Sequence, residues 1–189
     1  MNGQLCLFVS LPLLVCSSLL VAPAGPYWLS LDSFERCSQE GSREMIFDLH
    51  LRKMNRTTVI LYGNFTFKRD FDENMKMRLE ASSWGNGGWR SNLYIIDIVK
   101  NICKTFYDNF GIRKVNYFIA KVGFPMNRTT CYVPANNYQV DDVVVSNSLL
   151  EAYKILIYSK YRTTASLFSA KDELLGCVRV VMKITRRYQ

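Results

Sequence analysis

The chain has 189 residues, 24 Lys and Arg against 16 Asp and Glu, a net charge of +8 and a single histidine. That length suits one domain with a substantial core. One histidine and no C-x-x-C spacing leave too few ligands for zinc, so no metal is expected, and His50 is left as the sole base for a Ser-His-Asp or Cys-His arrangement.

From Met1 to Leu31 there is no charged side chain, and Leu5 to Ala24 is mostly apolar. Such a stretch must meet lipid or the export machinery. Ala22 and Ala24 form an A-x-A cleavage site before Gly25, and Pro12 and Pro23 argue against a long spanning helix. A signal peptide is therefore expected over 1–24, followed by a single β-domain over 25–189 that is secreted, 165 residues long (189 minus 24). Met1 to Gln4 lacks Lys and Arg, which leaves a retained anchor as the alternative. Cys6 and Cys16 fall in the leader, whereas Cys37, Cys103, Cys131 and Cys177 remain. An even number in an exported chain fits two disulfides, with three pairings open. Asn-x-Thr sequons at Asn55, Asn64 and Asn127 agree with export and place those side chains at the surface as glycosylation sites.

Strand periodicity dominates the mature part. Between Glu44 and Lys53, Met45, Phe47, Leu49 and Leu51 alternate with Asp48, His50 and Arg52. Over Thr57 to Arg69, an outward Asn64 turns Phe65 and Phe67 inward with Leu61 and Val59. Met75, Met77 and Leu79 alternate with Lys76, Arg78 and Glu80. Trp84-Gly-Asn-Gly-Gly-Trp89 reads as a flexible loop whose tryptophans pack beside a turn, cap a pocket mouth or dip into a membrane. From Asn92, the residues Leu93, Ile96, Val99, Ile102, Cys103 and Phe106 recur at helical spacing, with Ser91 or Asn92 as N-cap. Strands are expected again at Tyr138 to Val145 and Tyr153 to Ser159, and at the end Val178, Val180, Met182 and Ile184 alternate with Arg179 and Lys183. The fold class is mainly β, an antiparallel two-sheet sandwich or cup with one short helix.

No catalytic residue emerges. His50 lies on the polar face of its strand, and no G-x-S-x-G, H-E-x-x-H or P-loop pattern is present. Asp141 and Asp142 are adjacent on a strand and should point to opposite faces. The chain is read as a binder rather than an enzyme, with no cofactor. Its positive charge, outside the cell, excludes nucleic acid and suits solvation, anionic lipid head groups, acidic glycans or an acidic receptor face.

The second half carries a more specific pattern: Cys131-Tyr-Val-Pro134-Ala-Asn-Asn-Tyr138, then Glu151-Ala-Tyr153-Lys-Ile-Leu-Ile, then Leu175-Gly176-Cys177-Val-Arg-Val. It resembles the insect CheB / DUF1091 family, relatives of the GM2-activator and MD-2-related lipid-recognition (ML) proteins. Ile98 to Cys103 with Lys104 resembles that family's helix-region Cys-Lys element. The likeness covers roughly Asn92 to Arg187, and more weakly the strands from Cys37. Tyr132 stands where the family has Pro, and Asn136 where it has a turn Gly.

The resemblance implies a β-cup whose apolar interior holds a lipid or other hydrophobic small molecule, with disulfides Cys37–Cys177 and Cys103–Cys131. It also implies a chemosensory role, pheromone perception in an insect. Candidate ligand-lining residues are the inward set Phe47, Leu49, Phe65, Phe67, Met77, Leu79, Val180 and Met182. The alternative is a secreted interaction module with a filled core that engages a membrane receptor or channel through its surface; transient contact with a membrane surface suits either.

Overall fold

The computed structural model describes residues 24–55, 58–127, 129–145 and 156–187. The expected leader up to Pro23, with Cys6 and Cys16, lies outside the described residues, as does Tyr153, where a strand was expected to begin.

The chain is mainly β and antiparallel, a two-sheet sandwich. Its strands are β1 (Ala24–Gly25), β2 (Tyr27–Glu35), β3 (Met45–Lys53), β4 (Val59–Phe67), β5 (Lys76–Gly85), β6 (Gly88–Ile98), β7 (Asn136–Val145), β8 (Leu156–Ile157), β9 (Ser159–Phe168) and β10 (Leu174–Arg186). Helices α1 (Ile102–Phe110) and α2 (Ile112–Val122) stand between β6 and β7. The large sheet has the order β2-β10-β9-β5-β6, the small sheet β3-β4-β7, and β1 pairs with β8.

The small sheet follows from alternation. Met45 pairs with Phe67 and Phe47 with Phe65, while Phe65 pairs on its other side with Tyr138, so one face is continuously apolar. Asn64 pairs with Asp48 and Gln139 on the opposite face, as its sequon requires. In the large sheet the same logic aligns Met77 with Leu167 and Ile98, and these join the core. The sheets meet where β3 packs against β2 and β10. At that crossing a Cβ on Gly176 would sit 1.9 Å from the Met45 carbonyl oxygen, so only glycine lets the backbones approach.

Two disulfides lock this arrangement, Cys37–Cys177 and Cys103–Cys131, with Cα–Cα distances of 6.0 and 5.6 Å. The pairing is the one that the resemblance implies. The first ties the segment after β2 to β10 beside Gly176; the second ties α1 to the segment before β7.

Three local expectations are corrected. Leu93 and Ile96 are not helical: they lie in β6, Val99 follows it, and the helix begins only at Ile102, with Asn101 at φ 54° in the N-cap position, its side chain making no capping bond, rather than Ser91 or Asn92. The run Leu93–Ile96 is apolar at every position, and such a run satisfies helical and strand spacing alike; pairing with β5 decides it. A second helix, α2, stands where none was expected, with Ile119 and Val122 buried and Gly123 at φ 74° closing it through an N–H donated to the Ile119 carbonyl. Finally, Trp84 to Trp89 is a tight hairpin rather than a flexible loop, with the two tryptophans packed beside the turn as one of the readings expects. Gly85 pairs with Gly88, and the intervening Asn86 and Gly87 take φ of 52° and 79°, the left-handed pair that a two-residue type I′ turn needs.

Candidate ligand-binding site

The eight expected lining residues divide into two groups. Phe47, Leu49, Phe65, Phe67 and Met77 belong to the packed core. There the aromatic rings leave little slack: Phe67 lies 6.3 Å from Phe65, 5.8 Å from Phe124 and 5.9 Å from Tyr138, and Phe124 meets Tyr138 edge-on at 4.9 Å. Such edge-to-face and offset geometry is that of a filled aromatic interior. Leu79, Val180 and Met182 instead lie on the inner face of the large sheet, half-buried and outside that core.

That inner face continues past the core, covered on the β2–β10 side, where Leu29, Leu31 and Ile184 are buried, and uncovered toward β6. Beyond Met77, Leu167 and Ile98 comes a row of Leu79, Ala165, Ile96 and Val178, then one of Ala81, Thr163, Tyr94 and Val180. On these outer rows Ile96 is 53% exposed and Tyr94 58%. The next row contains Tyr161 and Met182. Burial raises the Tyr161 phenol pKa, Tyr94 adding to it, and its hydroxyl donates to the Ile157 carbonyl at 2.9 Å. The result is an apolar wall closed at the core end and open toward the free edge of β6. Sequence reasoning missed Tyr94, Ile96 and Tyr161 here. Reading 93–98 as a strand in register with Met77 and Leu79 exposes the first two; Tyr161 carries no such signal.

The polar candidates lie elsewhere. His50 is on the outer face of the small sheet, 53% exposed, with Nε2 3.2 Å from Asp48 Oδ1. Asp141 and Asp142 do not alternate as expected. Leu61 pairs with Val143 and Gly63 with Val140, so a bulge places both carboxylates outside, Asp142 at φ 46°. They turn to different partners: Asp141 accepts from Gln139 and Asp142 from Arg52. Among the described residues, no three His, Cys, Asp or Glu side chains cluster as metal ligands. Asn55 and Asn127 are exposed, and Asn127 Oδ1 accepts from the Thr129 hydroxyl of its own sequon at 2.8 Å.

The Cys131 segment is anchored by Asp70, which accepts from the Ala135 N–H and the Tyr132 hydroxyl, both at 2.8 Å. Tyr132 thus has a specific role, and Asn136 opens β7 opposite Phe67 rather than making a left-handed turn. The Ala135 N–H first, and the Tyr132 hydroxyl second, hold the Asp70 carboxyl below its ordinary pKa. A depressed folded-state pKa contributes stability above the unfolded value, lost as pH falls through the folded one. Asp70→Asn is therefore expected to flatten the acid limb of urea midpoints below about pH 4, and to leave the midpoint nearly independent of pH between 5 and 7.

The fold and site define a small, disulfide-braced β-sandwich with one packed and one open apolar region. No protein-family model and no curated protein matches the chain. Among the described residues no helix is long and apolar enough to cross a membrane.

Proposed function

We propose that this chain is an exported, non-enzymatic protein that binds a lipid or other small hydrophobic molecule against the inner face of its large sheet. The observation that carries this is the apolar wall that continues past the core, with Ile96 and Tyr94 more than half exposed on a face whose other apolar side chains are buried or half-buried. Apolar surface left in water costs about 25 cal/mol per Å², and an acyl chain laid along it gains roughly 0.8 kcal/mol per buried methylene. The two disulfides and three sequons support an extracellular setting. The resemblance to CheB-type proteins supports a chemosensory use in an insect, such as pheromone perception.

Native mass spectrometry of the secreted, deglycosylated protein, followed by organic extraction, tests the proposal. A stoichiometric apolar passenger is expected. In addition, Ile96→Glu should weaken uptake of a fluorescent fatty acid at least about tenfold, since fully burying one such side chain is worth about 1.5–3 kcal/mol. Its thermal midpoint should hold, because Ile96 lies largely outside the core.

A second reading has its own support. β6 ends the large sheet, and Leu93, Tyr94, Ile95 and Ile96 are 39%, 58%, 52% and 53% exposed along it. An apolar free edge of this kind invites strand addition by a receptor or channel. An empty protein that also refuses fatty acid would move the function to this edge.

A further inference from the structure

The chain has three tryptophans, and all of them stand at one end of the outer face of the large sheet. The register puts them there. Trp28 pairs with Thr185, Lys183 with Lys160, Arg162 with both Val181 and Ser82, and Trp84 with Trp89. These residues share the face opposite to the one bearing Leu79, Val180 and Met182.

Indoles and cations interleave on this surface. The Arg187 guanidinium lies 4.8 Å above the Trp28 ring and that of Arg162 4.7 Å above Trp89, while Trp84 meets Trp89 edge-on at 5.2 Å. Lys160 and Lys183 fill the strands between the stacks. Trp28 and Trp84 stay 38% and 46% exposed. Among the described residues, Asp32, 3.4 Å from Lys160, is the acid on this half. Glu35, Glu80 and Asp97 sit toward the other end, opposite Arg179, Thr164 and Arg78. Asn64 points out from the small sheet, so a glycan on it would lie away from this face.

A purely solvated basic face would have no use for exposed indoles, whereas cations interleaved with indoles match the charge and depth of a lipid head-group layer. Tryptophan favours the level of lipid head groups, where its ring is partly apolar and its N–H is wet. Lysine and arginine near an anionic leaflet contribute about 1 kcal/mol each. We propose that this end of the large sheet docks on an anionic phospholipid bilayer, with the indoles at head-group depth and Lys160, Arg162, Lys183 and Arg187 over the lipid charges. Docking uses the outer face and ligand uptake the inner one, so the two are lost separately.

Because all the tryptophans share this end, intrinsic fluorescence reports on it directly. The full secreted protein is titrated with vesicles of phosphatidylcholine and phosphatidylserine at a 70:30 ratio, and with pure phosphatidylcholine. A blue shift and quenching by brominated acyl chains are expected on the anionic vesicles alone, reversed by high salt. Lys183→Gln and Arg162→Gln should each weaken binding about fivefold, which is about 1 kcal/mol per charge. Lys183 is exposed, so its variant remains informative if loss of the Arg162 stack perturbs the sheet. Trp84→Ala should reduce quenching while fatty-acid uptake is kept. The proposal is overturned by equal binding to neutral vesicles, by no spectral change on anionic ones, or by retention on a sulfated polysaccharide without any binding to vesicles.

Discussion

Replacing Cys37 and Cys177 together by serine is expected to cost roughly 5 kcal/mol of stability, against about 3.5 kcal/mol for Cys103 and Cys131, by loop-closure entropy. The difference follows from the loops, since the first bond spans 140 residues and the second 28. Losing the first also frees the segment after β2 from β10 at the point where Gly176 lies against Met45, so the packing of the two sheets is strained as well as the entropy raised. Reversible urea unfolding of the double variants, compared with wild type, checks the order. A smaller effect for Cys37 and Cys177 would mean that the backbone contact at Gly176 holds the sheets unaided. With typical domain stabilities of about 5–15 kcal/mol, the first variant should lie near the margin of stability.

Phe67→Ala is expected to cost about 3–5 kcal/mol, and Val180→Ala distinctly less than the usual core value. Phe67 is 7% exposed and touches Phe47, Phe65, Phe71, Phe124 and Tyr138 through its ring, so its removal leaves a void that neighbours on three elements would have to collapse to fill. Val180 is only half-buried, on the inner face outside that core. Unfolding midpoints of the two variants decide whether the small sheet carries the stability and the large sheet the ligand. Equal costs would place both residues in one continuous core and weaken the case for an open wall.

How far the site was legible depends on the element. Parity around the Asn64 sequon correctly turns Phe65 and Phe67 inward, and alternation at the C-terminus correctly places Val180 and Met182 on the inner face. Neither says whether an inward side chain meets a packed neighbour or open space, because facing inward is set within one strand and being covered is set by another sheet. β2 alternates Leu29 and Leu31 with Trp28 and Ser30, and could have been read as a strand; α2, with Phe118, Ile119 and Val122, shows helical spacing and could have been read too. β6 could not have been assigned by period alone, since Leu93 to Ile96 is apolar throughout.

By itself, the amino-acid sequence determined the strand-rich class, the inward parity of β3, β4 and β10 and the outward placement of Asn55, Asn64 and Asn127. These depend on period-two alternation and on residue chemistry, which are local. Tertiary structure alone decided the order of strands in the large sheet, the bulge that sends Asp141 and Asp142 outward together, the contact of Gly176 with Met45, and the gathering of Trp28, Trp84 and Trp89 at one end of one face. Those features join residues from distant parts of the chain, and the register that aligns them is a property of strand pairing, which no single stretch encodes.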